Sequence, residues 1–191
     1  MLAAMRLEKL ALGGPVVRIG MGHERAVAAT ARLAATLAPG TPVVLAGISG
    51  GLDPALRPGA LVVATSVRGP AGDETPLAAG DAAAVADALG ALGRPVHLGP
   101  IVSSHTLVHG ERRTELARGG ALAVDMESAW VVAALGAMRL VVVRVVADTA
   151  GNVVAGLVKG LVALRGVRRA LDGWPGPAPP EAGGRSGDSA R

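Results

Sequence analysis

The chain has 191 residues, a formal net charge of +4, and hydrophobic residues at half of its positions. It contains no Phe or Tyr and only two Trp, so its core must be built by close packing of small aliphatic side chains. The absence of cysteine excludes disulfides, thiolate metal sites and a cysteine nucleophile. The length indicates one domain. The small charge, without an aromatic platform, argues against a nucleic-acid partner.

The placement of charges also argues against a membrane protein. Asp125 and Glu127, followed by Arg139 and Arg144, interrupt the longest apolar stretch. Glu8 stands where a secretion signal would carry its apolar segment. We therefore expect a cytoplasmic protein without membrane contact.

Apolar periodicity and turn residues predict strands alternating with helices along the chain. Strands are predicted at residues 16–19, 41–46, 60–66, 96–102, 121–124 and 140–146, and helices at residues 24–37, 77–89, 110–118, 126–138 and 153–171. Residues 68–76 are predicted to form a loop. This alternation predicts an α/β protein of three layers, with a mixed, largely parallel central sheet flanked by helices.

Residues 1–172 are expected to form this single domain, and residues 173–191 a disordered tail rich in Pro, Gly and Ser. Few residues precede the strand predicted at 16–19, and Glu8 falls in a predicted helix. A strand ahead of residue 16 is therefore expected to be missing.

Two carboxylates follow predicted strands and are the leading candidates for chemistry. Asp125 is expected to cap the helix 126–138, which would place Glu127 in its first turn, where an ionised carboxylate is favoured. Such a carboxylate can accept hydrogen bonds from the two hydroxyls of a ribose. Asp148 follows the strand 140–146 and can give a proton to a leaving group. Both acids have plain structural alternatives, as a helix start and as a turn-capping residue.

The glycine-rich segment 47–51 follows another predicted strand. Its glycines would let the backbone approach a ligand closely, but it has neither the Rossmann spacing nor a Walker lysine, and a tight turn explains it as well. His105 and His109 share helical spacing without the acid of a zinc hydrolase motif, so no metal site is predicted.

Four motifs follow one another between about residues 16 and 148: Gly20-Met21-Gly22, Gly47-Ile48-Ser49-Gly50-Gly51-Leu52, Val124-Asp125-Met126-Glu127-Ser128-Ala129 and Val143-Arg144-Val145-Val146-Ala147-Asp148. Taken together and in this order, they resemble the nucleoside phosphorylase and nucleosidase superfamily. That superfamily includes purine nucleoside phosphorylases and methylthioadenosine/S-adenosylhomocysteine nucleosidases. The segment 51–59 is most similar to the branch associated with hopanoid biosynthesis, which acts on adenosylhopane.

The resemblance implies a role for each matching position. Glu127 would bind the ribose hydroxyls, and Asp148 would share a proton with the purine N7 as the glycosidic bond breaks. It also implies a nucleoside substrate, self-association and no cofactor, with inorganic phosphate as co-substrate if cleavage is phosphorolytic. The other implied contacts are Met126 on the sugar, Leu107 and Val108 beside the base, and Ser49 and Gly50 around the attacking water or phosphate.

Two departures concern the nucleophile. Nucleosidases carry a water-activating Glu in a loop after their first strand, whereas Glu8 lies in a predicted helix. Phosphorylases that bind phosphate through an Arg before the glycine segment would need it at Leu45. The leading hypothesis is cleavage of a 5′-substituted adenine nucleoside, with adenosylhopane favoured over methylthioadenosine or S-adenosylhomocysteine. The alternatives are a non-catalytic or truncated nucleoside-binding member and an unrelated Rossmann-like binding protein.

Overall fold

The computed structural model describes residues 1–148, 153–172 and 174. The strands are β1 (Leu2–Ala3), β2 (Val17–Arg18), β3 (Pro42–Gly51), β4 (Leu61–Arg68), β5 (Glu74–Pro76), β6 (Val96–Ser103), β7 (Ala123–Asp125) and β8 (Arg139–Asp148). The helices are α1 (Arg6–Leu12), α2 (His23–Ala34), α3 (Ala79–Gly90), α4 (Gly110–Arg118), α5 (Ser128–Leu135) and α6 (Val153–Ala170). Apart from Trp174, the predicted tail lies outside the described residues.

All of these strands belong to one mixed sheet that closes on itself. The order is β2-β1-β3-β7-β6-β4-β5, and β8 pairs with both β3 and β4. The pairs β1–β2, β1–β3, β3–β8, β4–β6 and β6–β7 are parallel, and β3–β7, β4–β5 and β4–β8 are antiparallel. The predicted mixed, largely parallel sheet is confirmed. Its closure through β8 is a feature that the sequence pattern did not predict.

Helices cover this sheet on two sides, which confirms the three-layer arrangement. On one side α1, α3 and α6 pack on the sheet, where Leu164 of α6 joins a buried cluster with Val141 of β8. On the other side α2 and α5 pack on it, where Val131 of α5 joins a second cluster with Val142. Neighbouring residues of β8 enter opposite clusters because successive side chains of a strand point to opposite faces.

Two glycines bring α6 against the ends of β3 and β8. A Cβ at Gly156 would overlap the carbonyl oxygen of Ala147, and one at Gly160 would lie 3.1 Å from Ile48 Cγ2. Only glycine lets the helix backbone approach the strands this closely. The approach places Leu157 at the same end of the sheet as the glycine-rich segment.

Three elements differ from the sequence prediction. A strand does precede residue 16: β1 pairs in parallel with β2 and with Leu45 of β3. The glycine-rich segment 47–51 is the last part of β3 rather than a turn, because Gly50 and Gly51 pair with β7. Residues 74–76 of the predicted loop form β5, which pairs with β4.

Helix α5 begins at Ser128, two residues later than predicted. Asp125 Oδ1 accepts hydrogen bonds from the backbone amides of Glu127 and Ser128, each at 3.2 Å, so the Asp125 carboxylate holds a turn before the helix starts. Glu127 is therefore the residue at the helix entrance, not part of its first turn. In the described part of the chain, no helix is long and apolar enough to cross a membrane.

Candidate active site

Strand pairing brings the separate sequence motifs to one place. Gly50 of β3 pairs with Val124 on one side and with Asp148 on the other, so the ends of β3, β7 and β8 meet. A cavity of about 300 Å³ opens there, with walls contributed by these strand ends, by α1 and by the segment 106–109. The carboxyl ends of parallel strands are the usual position of a ligand site in an α/β fold.

Every site residue predicted from the sequence lines this cavity. Leu107 lies at its rim with 73% of its surface exposed, whereas Val108 is buried. Ser49 is also buried, and its Oγ has no hydrogen-bond partner among the described residues. The hydroxyl is thus free to bind a molecule in the cavity. The predicted lining residues are Ser49, Gly50, Leu107, Val108, Met126, Glu127 and Asp148.

Glu127 is held by the glycine turn at residues 20–22. Its Oε1 accepts a hydrogen bond of 2.9 Å from the backbone amide of Gly22, which has a φ of 85°. The pKa of Glu127 is raised to about 7, mainly by burial, with Arg144 and the Gly22 amide opposing the rise and the Asp125 and Glu8 carboxylates adding to it. Near neutral pH this side chain can therefore both accept and release a proton.

A fully buried guanidinium organises the acids around the cavity. Arg144 projects from β8, and its Nε lies 2.7 Å from Asp125 Oδ2. Its Nη2 donates a hydrogen bond of 2.8 Å to Ser128 Oγ. Although burial opposes its charge, the carboxylates of Asp125, Glu127 and Glu8 raise the pKa of Arg144 above its ordinary value. One cation thus balances three acids, which leaves surplus negative charge to hold a proton at the site.

Glu8 is a cavity residue that the sequence analysis set aside. It lies on α1, as predicted, yet only 1% of its surface is exposed and its side chain enters the cavity wall. Glu8 Oε1 accepts a hydrogen bond of 2.8 Å from the Ile48 amide, and Oε2 accepts one of 2.7 Å from the Met5 amide. Burial raises the pKa of Glu8, against the lowering effect of Arg144 and these amides. Glu8 thus lies on a helix, as the sequence predicts, and still contributes its carboxylate to the cavity wall.

Asp148 is engaged by a second residue that the sequence analysis did not identify. Arg113 of α4 places Nη2 3.1 Å from Asp148 Oδ1 and Nη1 3.4 Å from Oδ2. The same Nη2 donates to the carbonyl oxygens of Gly51 at 2.5 Å and of Asp148 at 3.0 Å. Asp148 is thus held in an ion pair. We call this set of contacts the Arg113–Asp148 clamp.

Three rings join the segments that form the cavity wall. Trp130 of α5 lies with its ring centroid 4.9 Å from that of His23 and 5.0 Å from that of His105. The two histidine rings are 5.2 Å apart in an edge-to-face arrangement. His23 follows the Gly22 turn and His105 precedes the segment 106–109, so the cluster fixes both relative to α5.

Arg144, Glu8 and Arg113 are site residues that the sequence analysis did not identify, and they differ in how visible they are in the sequence. Arg144 was visible as the lone charge in an apolar strand, which indicates a buried, paired group. Glu8 was visible only as an acid near the chain start, with nothing to show which way α1 would face. Arg113 gave no signal, because it lies among the charged residues Glu111, Arg112 and Glu115 of a polar helix.

A closed mixed sheet with an acid-lined cavity at its strand ends defines an α/β protein of the phosphorylase type. The sequence matches the phosphorylase superfamily over residues 13–157, and the chain belongs to that superfamily. Comparison with curated proteins finds no match to this sequence.

Solved structures of low sequence identity share the fold. A mutant of Helicobacter pylori MTAN with 5′-methylthioadenosine in its active site has a TM-score of 0.75 at 19% identity, covering 89% of this chain and 94% of its own. The Neisseria meningitidis 5′-methylthioadenosine/S-adenosylhomocysteine nucleosidase, in complex with methylthio-immucillin-A, has a TM-score of 0.73 at 21% identity, covering 88% and 95%. Futalosine hydrolase of Helicobacter pylori has a TM-score of 0.74 at 19% identity, covering 89% and 93%.

Proposed function

We propose that this chain is a purine nucleosidase that hydrolyses the N-glycosidic bond of a 5′-substituted adenine nucleoside. The observation that carries the proposal is the convergence of Glu8, Glu127 and Asp148 on one cavity with otherwise mainly apolar walls. Glycosidic cleavage needs a base for water, an anchor for the sugar and an acid for the leaving purine. The three carboxylates supply these functions from three separate elements.

Glu8 is the proposed base. Its carboxylate lies beside the glycine-rich end of β3, where the Ile48 amide orients one oxygen. Its raised pKa makes it a stronger base than an exposed Glu, because basicity rises with proton affinity. Buried Ser49, with its unpartnered hydroxyl, can hold the water that Glu8 deprotonates.

Glu127 is the proposed anchor of the ribose. Its Oε1 receives the Gly22 amide, which leaves Oε2 and the remaining lone pairs for the 2′ and 3′ hydroxyls. Met126 is half-buried at the same wall and offers an apolar surface to the sugar. As positive charge develops on the sugar in the transition state, a nearby carboxylate also stabilises it electrostatically.

Asp148 is the proposed acid at the purine. A purine is a poor leaving group as an anion, so a proton shared between Asp148 and N7 as the glycosidic bond breaks lowers the barrier to its release. Val108 and Leu107 from the segment 106–109 line the same cavity and can flank the base.

Water is favoured over phosphate as the nucleophile. Leu45, the position at which an Arg would bind phosphate, is fully buried in the core and cannot contact a ligand. Arg113 does line the cavity, but its guanidinium is occupied by Asp148 and Gly51. Glu8 would moreover repel a phosphate dianion at the position where a nucleophile must stand.

The 5′ group is proposed to be apolar. Met5, Met21 and Leu157 line the cavity, and Met21 is half-exposed at its edge. Two of the similar structures hold 5′-methylthioadenosine or methylthio-immucillin-A. The segment 51–59 favours adenosylhopane, whose 5′ substituent is a bulky hydrocarbon, and methylthioadenosine is the smaller candidate.

The test is to incubate the purified chain with adenosylhopane and with methylthioadenosine, each with and without phosphate, and to measure adenine. The proposal expects adenine in phosphate-free buffer, and faster release from the substrate that fits the apolar wall. Adenine only in the presence of phosphate would make the chain a phosphorylase. Calorimetric binding without any adenine would make it a non-catalytic nucleoside-binding member.

A further inference from the structure

The Arg113–Asp148 clamp occupies the atoms that a nucleobase needs. Both carboxylate oxygens of Asp148 face the guanidinium, at 3.1 Å and 3.4 Å. An adenine protonated at N7 offers two hydrogen-bond donors, N7–H and the exocyclic N6–H, and both require an acceptor. The guanidinium likewise offers only donors. Arg113 and adenine therefore seek the same oxygens.

The surroundings of Asp148 restrict how both could bind at once. A Cβ at Gly50 would lie 3.0 Å from Asp148 Oδ1 and 3.4 Å from Arg113 Nη2, so the β3 backbone passes close to both partners of the clamp. The carboxylate side chain is 21% exposed and that of Arg113 15% exposed. With so little free surface, a base reaches Asp148 through the space next to the guanidinium.

Arg113 has an anchor that does not depend on the carboxylate. Its Nη2 also donates to the carbonyl oxygens of Gly51 and Asp148. A guanidinium has five donors, so it can stay on these carbonyls while giving up one or both carboxylate oxygens. The clamp can thus open locally, by side-chain motion, without unfolding of α4.

We propose that Arg113 competes with the nucleobase for Asp148, so that base binding must open the Arg113–Asp148 clamp. This proposal rests on the proposed function, in which Asp148 meets the purine. Arg113 is a positioning residue: it keeps the carboxylate in place before a base binds and weakens the binding of bases that need both oxygens. The apparent affinity for adenine is then reduced by the fraction of molecules whose clamp is closed.

The competition is tested by calorimetric titration of adenine into the wild type, Arg113→Gln and Arg113→Lys. Arg113→Gln removes the competing charge and should bind adenine about three- to tenfold more tightly. Lys can occupy only one oxygen at a time, so Arg113→Lys should show a smaller gain. Hypoxanthine has an acceptor where adenine has its amino group. Its affinity should therefore increase less than that of adenine in Arg113→Gln, whereas a merely structural change would affect both bases alike.

Arg112→Gln is the matched control. Arg112 is next in sequence on the same helix but is 61% exposed and pairs with Glu115 on the surface. Its substitution should leave adenine binding unchanged. In turnover assays Arg113→Gln should lower KM by about the factor found for adenine, since the competition acts on binding.

Equal or weaker adenine binding in Arg113→Gln would overturn the competition. If that variant does not fold, the same result in Arg113→Lys overturns it. A wild type that releases no adenine from any nucleoside contradicts the proposed function instead. The adenine titration still decides the competition in that case, because it needs no turnover.

Discussion

The carboxylate of Glu8 accepts a hydrogen bond from the backbone amide of Ile48, with 2.8 Å between Oε1 and the amide nitrogen. This contact joins the first helix of the chain to the strand that carries the glycine-rich segment. It places a buried acid of raised pKa at the nucleophile end of the cavity. In the proposed reaction, the three carboxylates of the site come from α1, from the entrance of α5 and from the end of β8.

The proposed acid is tested by Asp148→Asn, which removes the exchangeable proton with almost no change of shape. The variant should bind adenine nucleosides with a Kd within several-fold of wild type, but its kcat should fall about 10²- to 10⁴-fold. Binding is measured by calorimetry and turnover by adenine release. Asp53→Asn, at an acid outside the cavity wall, is the control. Full activity in Asp148→Asn would remove Asp148 from the reaction.

Glu127 makes the stability of the protein depend on pH. Its pKa in the folded chain is about 7 against an ordinary value of 4.5, so the folded state binds more protons between these values. The contribution of Glu127 to the free energy of unfolding is therefore largest below pH 4.5, falls as the pH rises to about 7, and is then level. Glu127→Gln should abolish this loss and be more stable than wild type at pH 8 by roughly 1–3 kcal/mol.

The free energies of unfolding of wild type and Glu127→Gln are compared by urea unfolding at pH 8 and at pH 4. The difference between them should vanish at pH 4. Exposed Glu24→Gln serves as control and should show no such effect. The stabilised Glu127→Gln should also lose activity through weaker ribose binding, the usual exchange of stability for function. A Glu127→Gln variant less stable than wild type at pH 8 would contradict the assigned cause of the pKa shift.

Gly47 leaves room for the buried charges beneath the cavity. A Cβ at this position would overlap Arg144 Nη1 and lie 2.8 Å from Glu8 Oε1. Gly47→Ala should destabilise the fold by about 1–3 kcal/mol through overpacking and displace Glu8, with loss of most activity. Gly80→Ala is the matched control, because Gly80 stands in helix α3 and no atom of the described residues lies within 4 Å of its added Cβ. It should be neutral or slightly stabilising.

Trp130 ties two cavity segments to α5 through its contacts with His23 and His105. Trp130→Ala should raise KM more than it lowers kcat, because the segments that hold the substrate lose their support while the three acids remain. Trp130→Phe keeps a ring and should recover most of the affinity. Trp174 is not among the described residues that line the cavity, so Trp174→Ala should leave KM unchanged. An equal KM increase in both Trp→Ala variants would refute the supporting role.

The sequence predicted the cavity acids because they follow strands of a largely parallel sheet. Ligand sites lie at the carboxyl ends of parallel strands, and this rule alone places Glu127, Asp148 and the glycine-rich segment 47–51 at one edge of the sheet. Glu8 could not be placed in this way, because periodicity shows that α1 is a helix but not which neighbour it packs on. Its direction depends on β1, a two-residue strand too short to give a pattern.

Long-range pairing explains the remaining differences. The closure of the sheet depends on the contact of β8 with β4, which residues 61–63 and 143–145 establish and no local pattern encodes. The contact of Arg113 with Asp148 spans 35 residues and joins a polar helix to a strand end. The later start of α5 follows from the Asp125 carboxylate, which Arg144 and Ser103 hold in a turn.

The most direct test of the account is adenine release by wild type and Glu8→Gln in phosphate-free buffer, with methylthioadenosine or adenosylhopane as substrate. If Glu8 activates water, the wild type releases adenine and Glu8→Gln does so about 10²- to 10⁴-fold more slowly, with nucleoside binding retained. Exposed Glu24→Gln should match the wild type. Wild-type activity in Glu8→Gln, or adenine release that requires phosphate, would contradict the account.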